Sequence, residues 1–307
     1  MKKDLLKMND LSKNEILEIL NLADQLKYEK NHNIKHPLLK GKSLGMIFSK
    51  ASTRTRVSFE VGMYELGGNP LFLSSSDLQI GRGEPICDTA RVLSRYLDGI
   101  MIRTFEQSEV DSLAKHASIP IINALTDDEH PCQILADLMT IREQKNSFED
   151  LKICYIGDGN NMAHSLMIGC LKLGMDFSIA SPKGYYPKEE YLNLANTISK
   201  TENTLFTLTN SPKEAIENAD VVITDVWASM GQESESKKRK IAFEGYCVNS
   251  SLMEFANNDA IVLHCLPAHR EEEISTEVLE KHANVIFDEA ENRLHVQKAV
   301  LVKLLSN

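Results

Sequence analysis

The chain has 307 residues, 42% hydrophobic and 25% charged, with a formal net charge of -10. That profile excludes a disordered or fibrous chain and gives enough apolar residues for two cores. The negative balance argues against nucleic acid or an acidic membrane as partner, so an anionic substrate has to be drawn in by a local cluster of cations.

The predicted elements begin with a helix over residues 11–27. There Ile16, Leu17, Ile19, Leu20, Leu22 and Leu26 recur at helical spacing, and Ser12 with Glu15 makes a capping-box pattern. Short apolar runs at 43–48, 70–73, 99–102 and 119–122 read as strands, separated by helical patterns near 57–66, 86–96 and 108–117. In the first of these helices Val57, Val61, Tyr64 and Leu66 suggest a partly buried face. A helix follows from Pro131, a residue tolerated at the first helical position, through Ile134, Leu135, Leu138 and Ile141. A second series of strand-like runs lies at 152–156, 176–180, 204–208, 220–224, 260–264 and 284–287. The alternation predicts an α/β protein of two domains, each a mostly parallel sheet flanked by helices. Ligands of such sheets bind beyond the carboxyl ends of the strands, so the active site is expected in the cleft between the domains.

Six cysteines are scattered without a C-x-x-C pair, several inside apolar stretches, and read as reduced buried thiols. The first residues interrupt their apolar positions with charge, and no run of about 18 apolar residues occurs, so a cytoplasmic location and no membrane partner are expected. The basic run Lys237-Lys238-Arg239-Lys240 follows Glu233-Ser234-Glu235-Ser236 and reads as a solvated loop.

The densest chemistry lies at Ser52-Thr53-Arg54-Thr55-Arg56, at a predicted strand-to-helix turn. Unpartnered N–H groups and the helix dipole favour an anion there, and Arg54 and Arg56 can add planar donation. The same five residues also suit an ordinary capped helix with two solvated arginines. Further reactive side chains sit at expected strand ends or helix starts: Arg103, His130 in His-Pro-Cys-Gln, Asp225, and Cys265 in His-Cys-Leu-Pro. By residue type alone His130 and Asp225 also suit caps, Cys265 a core thiol, and Arg293 the surface. Gly157-Asp158-Gly159-Asn160-Asn161 invites a dinucleotide reading, but Met162 stands where the third glycine belongs and no acidic residue ends the next expected strand. The turn leaves Asn161 near a helix start, where its amide could bind a carboxylate.

Taken in order, Ser-Thr-Arg-Thr-Arg at 52–56, Arg103, His-Pro-Cys-Gln at 130–133, Asp225 with Ser229-Met230-Gly231, His-Cys-Leu-Pro at 264–267 and Arg293 make the chain resemble the carbamoyltransferases, most closely those using ornithine. The resemblance implies carbamoyl transfer from carbamoyl phosphate to the δ-amine of L-ornithine, with no metal or organic cofactor. It implies a carbamoyl phosphate-binding domain of residues 1–130 plus a C-terminal helix of about 291–307, a bridging helix at 131–147, and an ornithine-binding domain of 148–290. Carbamoyl phosphate would be held by Ser52, Thr53, Arg54, Thr55, Gln79, Arg103, His130, Gln133, Cys265, Leu266 and Arg293. Ornithine would be held by Asn161, Asp225, Ser229 and Met230, and Arg54, Arg103, His130, Asp225 and Cys265 would carry the chemistry. Aspartate-using relatives place a lysine in the loop that here reads Gln79 to Glu84, so Gln79 and Arg82 are the candidates there. A homotrimer with sites near subunit boundaries, a loop at 229–240 closing over ornithine, and a place in arginine biosynthesis or citrulline degradation complete the expectation. Putrescine or N-acetylornithine stands as the other acceptor, and a dehydrogenase or a non-catalytic metabolite-binding relative as the other class.

Overall fold

The computed structural model describes residues 3–75, 83–228 and 233–306. The chain divides into two compact units, 1–136 with 292–307, and 137–291. In the first unit the order is α1 (Lys13–Asn31), β1 (Ser43–Phe48), α2 (Thr53–Glu65), β2 (Asn69–Ser74), α3 (Ile86–Leu93), β3 (Gly99–Arg103), α4 (Gln107–His116) and β4 (Ile121–Leu125). The helix α5 (Pro131–Lys145) then crosses the division. The second unit continues with β5 (Lys152–Ile156), α6 (Asn161–Lys172), β6 (Asp176–Ala180), α7 (Glu189–Glu202), β7 (Phe206–Thr209), α8 (Pro212–Ile216), β8 (Val221–Thr224), α9 (Ser236–Ala242), α10 (Ser250–Met253), β9 (Ile261–His264) and α11 (Thr276–Lys281). Helix α12 (Ala283–Leu305) closes the chain.

Both sheets are parallel throughout, ordered β2-β1-β3-β4 and β7-β6-β5-β8-β9. Parallel strands carry helices on both faces, which is why β1, β3, β5 and β8 read as nearly continuous apolar runs and are buried along almost their whole length. In the first unit Ile47, Ala90, Ile100, Ile102, Val110, Leu113 and Ile121 pack together on one face of the sheet. In the second, Cys154, Ile156, Val222 and Val262 pack against Ile216, Phe243, Val278 and Ile286. Each sheet reverses its winding once, between β1 and β3 and between β5 and β8. At those two points neighbouring connections leave the strand ends in opposite directions and open a crevice for ligands.

The capping box at Ser12 and Glu15 is formed. Three sequence expectations fail. Residues 284–287 are the first turn of α12 rather than a strand: Ile286, Glu289, Arg293 and Val296 are buried at helical spacing while Phe287 is exposed, so the tertiary setting overrides the β preference of Val285-Ile286-Phe287. The buried face of α2 is Thr55, Phe59, Gly62 and Met63; Leu66 is buried and Val61 half-buried as expected, but Val57 and Tyr64 point outward at 51% and 78% exposure. The basic run at 237–240 lies in α9, with Arg239 buried, and not in a solvated loop. Of the six cysteines, Cys132, Cys154 and Cys170 are buried and Cys87, Cys247 and Cys265 half-buried, all as free thiols. Among the described residues no helix is long and apolar enough to cross a membrane.

Gly159 has a steric reason unrelated to nucleotides. A Cβ there would lie 2.1 Å from the backbone nitrogen of Pro187, while its own N–H donates to the Tyr185 carbonyl at 2.8 Å. Gly159→Ala must push the 185–187 backbone aside, and the expected loss of stability is about 1–3 kcal/mol or more, measured by urea unfolding.

Candidate active site

In the first unit, functional side chains gather at the winding reversal. The chain leaves β1 at Phe48 and enters α2 at Thr53, and Arg103 ends the neighbouring β3 in register with Phe48. The pairing of β3 with β4 shifts register between Ile102 and Arg103, an irregularity of the kind that re-aims a side chain. Ser52 caps α2: its Oγ accepts from the Thr55 N–H at 3.2 Å and donates to Thr55 Oγ1 at 3.0 Å. The first turn of a 13-residue helix therefore presents N–H groups, hydroxyls and the half-buried Arg54 at one place, an arrangement that suits an anion. Arg56, which the sequence offered as a second donor, is turned aside. Its Nε donates to Glu60 at 2.9 Å and its guanidinium lies 3.7 Å from the Phe72 ring centroid.

Arg293, on α12, belongs to the same group. Its Nη2 donates to Thr55 Oγ1 at 3.2 Å and its Nη1 to Gln133 Oε1 at 2.6 Å, and all three residues are buried. His130 precedes α5 on a loop tied by Thr126, whose Oγ1 accepts from the Glu129 N–H at 3.1 Å and donates to Gln107 Oε1 at 2.7 Å. Burial first, then the charges of Arg293 and Arg103, push the His130 imidazole well below its usual range, so it is neutral near pH 7.

In the second unit a different chemistry forms at the second reversal. Asp225 follows β8, Asn160 caps α6 beyond β5, and Cys265 follows β9. Asn160 Oδ1 accepts from the N–H groups of Met162 and Ala163, which turns its amide nitrogen onto Asp225 Oδ2 at 3.0 Å. The Cys265 thiol donates to Asp225 Oδ1 at 3.1 Å. Burial first, then the neighbouring carboxylates of Asp225 and Glu289, lift this thiol well above its ordinary range, so it is held as S–H and not as thiolate. The following backbone is fixed by His264, whose Nδ1 accepts from the Leu266 N–H at 2.9 Å, leaving Nε2 to donate to buried Glu273 at 3.1 Å. Those bonds hold Leu266 at φ +56, a left-handed conformation costing about 1–3 kcal/mol for a non-glycine residue.

Asp158 lies in the same β5–α6 turn and accepts from Arg239 Nη1 at 2.7 Å, while Arg239 also donates to the Trp227 carbonyl at 2.8 Å and to Glu235 at 3.2 Å. Burial pushes the Asp158 carboxyl up to about 6 against the pull of that guanidinium. The arrangement ties α9 to the chain on both sides of Asn160 and Asp225. From Glu233 onward the segment expected as a closing loop is helical.

Ser52, Thr53, Arg54, Thr55, Arg103, His130, Gln133 and Arg293 thus lie in the first unit, and Asn161, Asp225, Cys265 and Leu266 in the second. Gln79, Arg82, Ser229 and Met230 lie outside the described residues. Sequence reasoning passed over Asn160, Thr126, Gln107 and Arg239. Asn160 had a signal, being a polar residue directly before a helical pattern, whereas Arg239 was hidden within a run of lysines.

Known proteins carry the same two-part layout. Residues 3–143 match the carbamoyl phosphate-binding domain of the aspartate/ornithine carbamoyltransferases, and residues 149–304 match their aspartate/ornithine-binding domain. The chain belongs to this family. It is 57% identical to the ornithine carbamoyltransferase of Carboxydothermus hydrogenoformans, over 99% of this chain and 97% of that one. It is 55% identical to that of Bacillus subtilis, over 99% and 94%. Among solved structures, the ornithine carbamoyltransferase of Pyrococcus furiosus superposes with a TM-score of 0.96 at 49% identity, over 99% of this chain and 97% of that one. The anabolic ornithine carbamoyltransferase of Campylobacter jejuni gives 0.93 at 45% identity, over 98% of each.

The neutral state of His130 can be tested directly. The unfolded chain takes up this proton near pH 6.5 and the folded chain only far lower, so the residue contributes stability above pH 6.5 that is lost as the pH falls. The His130 ring signals in a nuclear magnetic resonance titration should stay those of a neutral imidazole from pH 8 down through about 5.5; a midpoint near 6.5 would contradict the assignment.

Proposed function

We propose that this chain transfers the carbamoyl group of carbamoyl phosphate to the δ-amine of L-ornithine, giving citrulline and phosphate. The observation that carries the reading is the Asp225–Cys265 pair with Asn160 beside it, on a chain 50–57% identical over nearly its whole length to proteins named ornithine carbamoyltransferase. A carboxylate with a neutral amide at its side suits an α-ammonium group, and the neutral thiol adds an uncharged polar neighbour for an amine. Putrescine has no carboxylate for Asn161 and N-acetylornithine no α-ammonium for Asp225, so ornithine fits this set better.

The ligand roles are those that the family resemblance implies. Ser52, Thr53, Arg54 and Thr55 take the phosphate, with Arg103 beside it. Thr55, Arg103 and His130 donate to the carbonyl oxygen, and Gln133 and Arg293 orient the carbamoyl end. Attack of the neutral δ-amine on the carbonyl carbon puts negative charge on oxygen, which fixed donors stabilise without reorganising. Collapse of the adduct breaks the carbon–oxygen bond to phosphate. The proton lost by the amine goes to a phosphate oxygen as it departs, and the products are citrulline and hydrogen phosphate. Gln79, Ser229 and Met230 join the binding sets on motif likeness.

We further propose a cytoplasmic homotrimer acting in arginine biosynthesis or, in reverse, in citrulline degradation. Support for self-association comes from the edge strand β2, whose Leu71 and Phe72 are exposed, together with Val57 and Tyr64 on α2. Light scattering should give three times the chain mass, and an active monomer would contradict it.

Mixing the protein with carbamoyl phosphate and, in parallel, L-ornithine, putrescine, N-acetylornithine or L-aspartate should yield a ureido product with ornithine alone. Product with another amine would overturn the acceptor. Arg54→Gly should lower kcat/KM on the order of 10²–10³-fold, as loss of one charge-stabilising donor does. Cys265→Ala should mainly raise the KM for ornithine and leave that for carbamoyl phosphate near its original value.

A further inference from the structure

Arg293 and Gln297 are four residues apart on α12 and share a face, both essentially without solvent exposure. With its amide oriented so that both ends have partners, Gln297 accepts from Arg293 Nε at 3.2 Å and Nη2 at 3.1 Å and donates to Ser58 Oγ at 2.5 Å. Nε and Nη2 form the side fork of the guanidinium, so one carbonyl oxygen sets the rotation of the whole planar group. The other end of the amide reaches α2 at a telling position. Ser58 Oγ donates to the carbonyls of Arg54 at 2.7 Å and Thr55 at 3.2 Å, the backbone of the cradle's own first turn.

From these contacts we infer that Gln297 is a positioning residue for carbamoyl phosphate, holding the Arg293 guanidinium at a fixed angle to the phosphate cradle. The inference rests on the reading under Proposed function. Gln297 acts through Arg293, which also donates to Thr55 and Gln133. Without it Nε and Nη2 lose their bonds to the amide oxygen, and the angle of the guanidinium depends more heavily on the bonds of Nη2 to Thr55 and Nη1 to Gln133. A second pin between the same helices separates this role from mere attachment. Lys298 Nζ donates to Glu65 Oε2 at 2.8 Å, and a Cβ on Gly62 would lie 3.2 Å from Lys298 Cγ, so α12 stays close to α2 whatever happens at Gln297.

The test is Gln297→Met, which keeps the volume and removes both polar ends. On the full chain, kcat/KM for carbamoyl phosphate should fall on the order of tenfold, the usual loss for a hydrogen bond to a charged group, while the KM for ornithine stays within about twofold. An unchanged kcat/KM for carbamoyl phosphate, or an equal rise in both KM values, would overturn the inference. If Gln297→Met does not fold, Ser58→Ala removes the anchor at the other end of the amide and should move the same constant in the same direction, with no change counting against the role. Wild-type protein in the same assay separates the two levels: no citrulline would fail the proposed reaction. In that event calorimetric binding of inorganic phosphate should still be weaker in Gln297→Met, and equal binding would fail the positioning role.

Discussion

A buried guanidinium must have its edges answered, and in the first unit that requirement organises the site. Arg293 reaches Thr55 at the start of α2, Gln133 at the start of α5 and Gln297 on its own helix, so three helix segments far apart in sequence are placed around one planar cation. An unpaired buried charge would cost several kcal/mol, which makes this geometry strongly preferred over alternatives. The same cation, together with burial and Arg103, keeps His130 neutral. Positive charge is thereby concentrated on groups that cannot lose it, while the histidine carries none.

The second unit solves a different problem with few parts. Asp225 is fixed from one side by Asn160 and from the other by the Cys265 thiol, and the bonds of His264 and Glu273 hold the backbone beyond Cys265 in a conformation a leucine rarely adopts. The raised affinity of that thiol for its proton bears on mechanism, since it removes a thiolate from the list of bases for the amine. Orientation and fixed donors are the other contributions that such a site can make.

Both sheets were legible because parallel strands are buried on two faces and announce themselves as apolar runs punctuated by helices. The run at 284–287 misled for the same reason: three apolar residues look alike at a strand and at the first turn of a long helix, and only the burial of Glu289 and Arg293 at helical spacing separates them. The capped turn was visible in Ser52 to Thr55 because capping chemistry is local. Arg56 failed as a donor for a nonlocal reason, the Phe72 ring on β2 and Glu60 having claimed it. Arg239 was illegible within its basic run, since its partner Asp158 is 81 positions away. The supporting shell of Thr126, Gln107 and Asn160 follows the same rule, with residue type giving a hint and only the fold supplying the partner.

In the proposed reaction a fixed Arg293 serves carbamoyl phosphate and not the amine. Steady-state kinetics of Arg293→Met, with each substrate varied in turn, test it most directly. Loss of about 10²-fold or more in kcat/KM for carbamoyl phosphate, with the KM for ornithine little altered, is the expected result. Wild-type kinetics toward carbamoyl phosphate, or a loss confined to ornithine, would contradict the account.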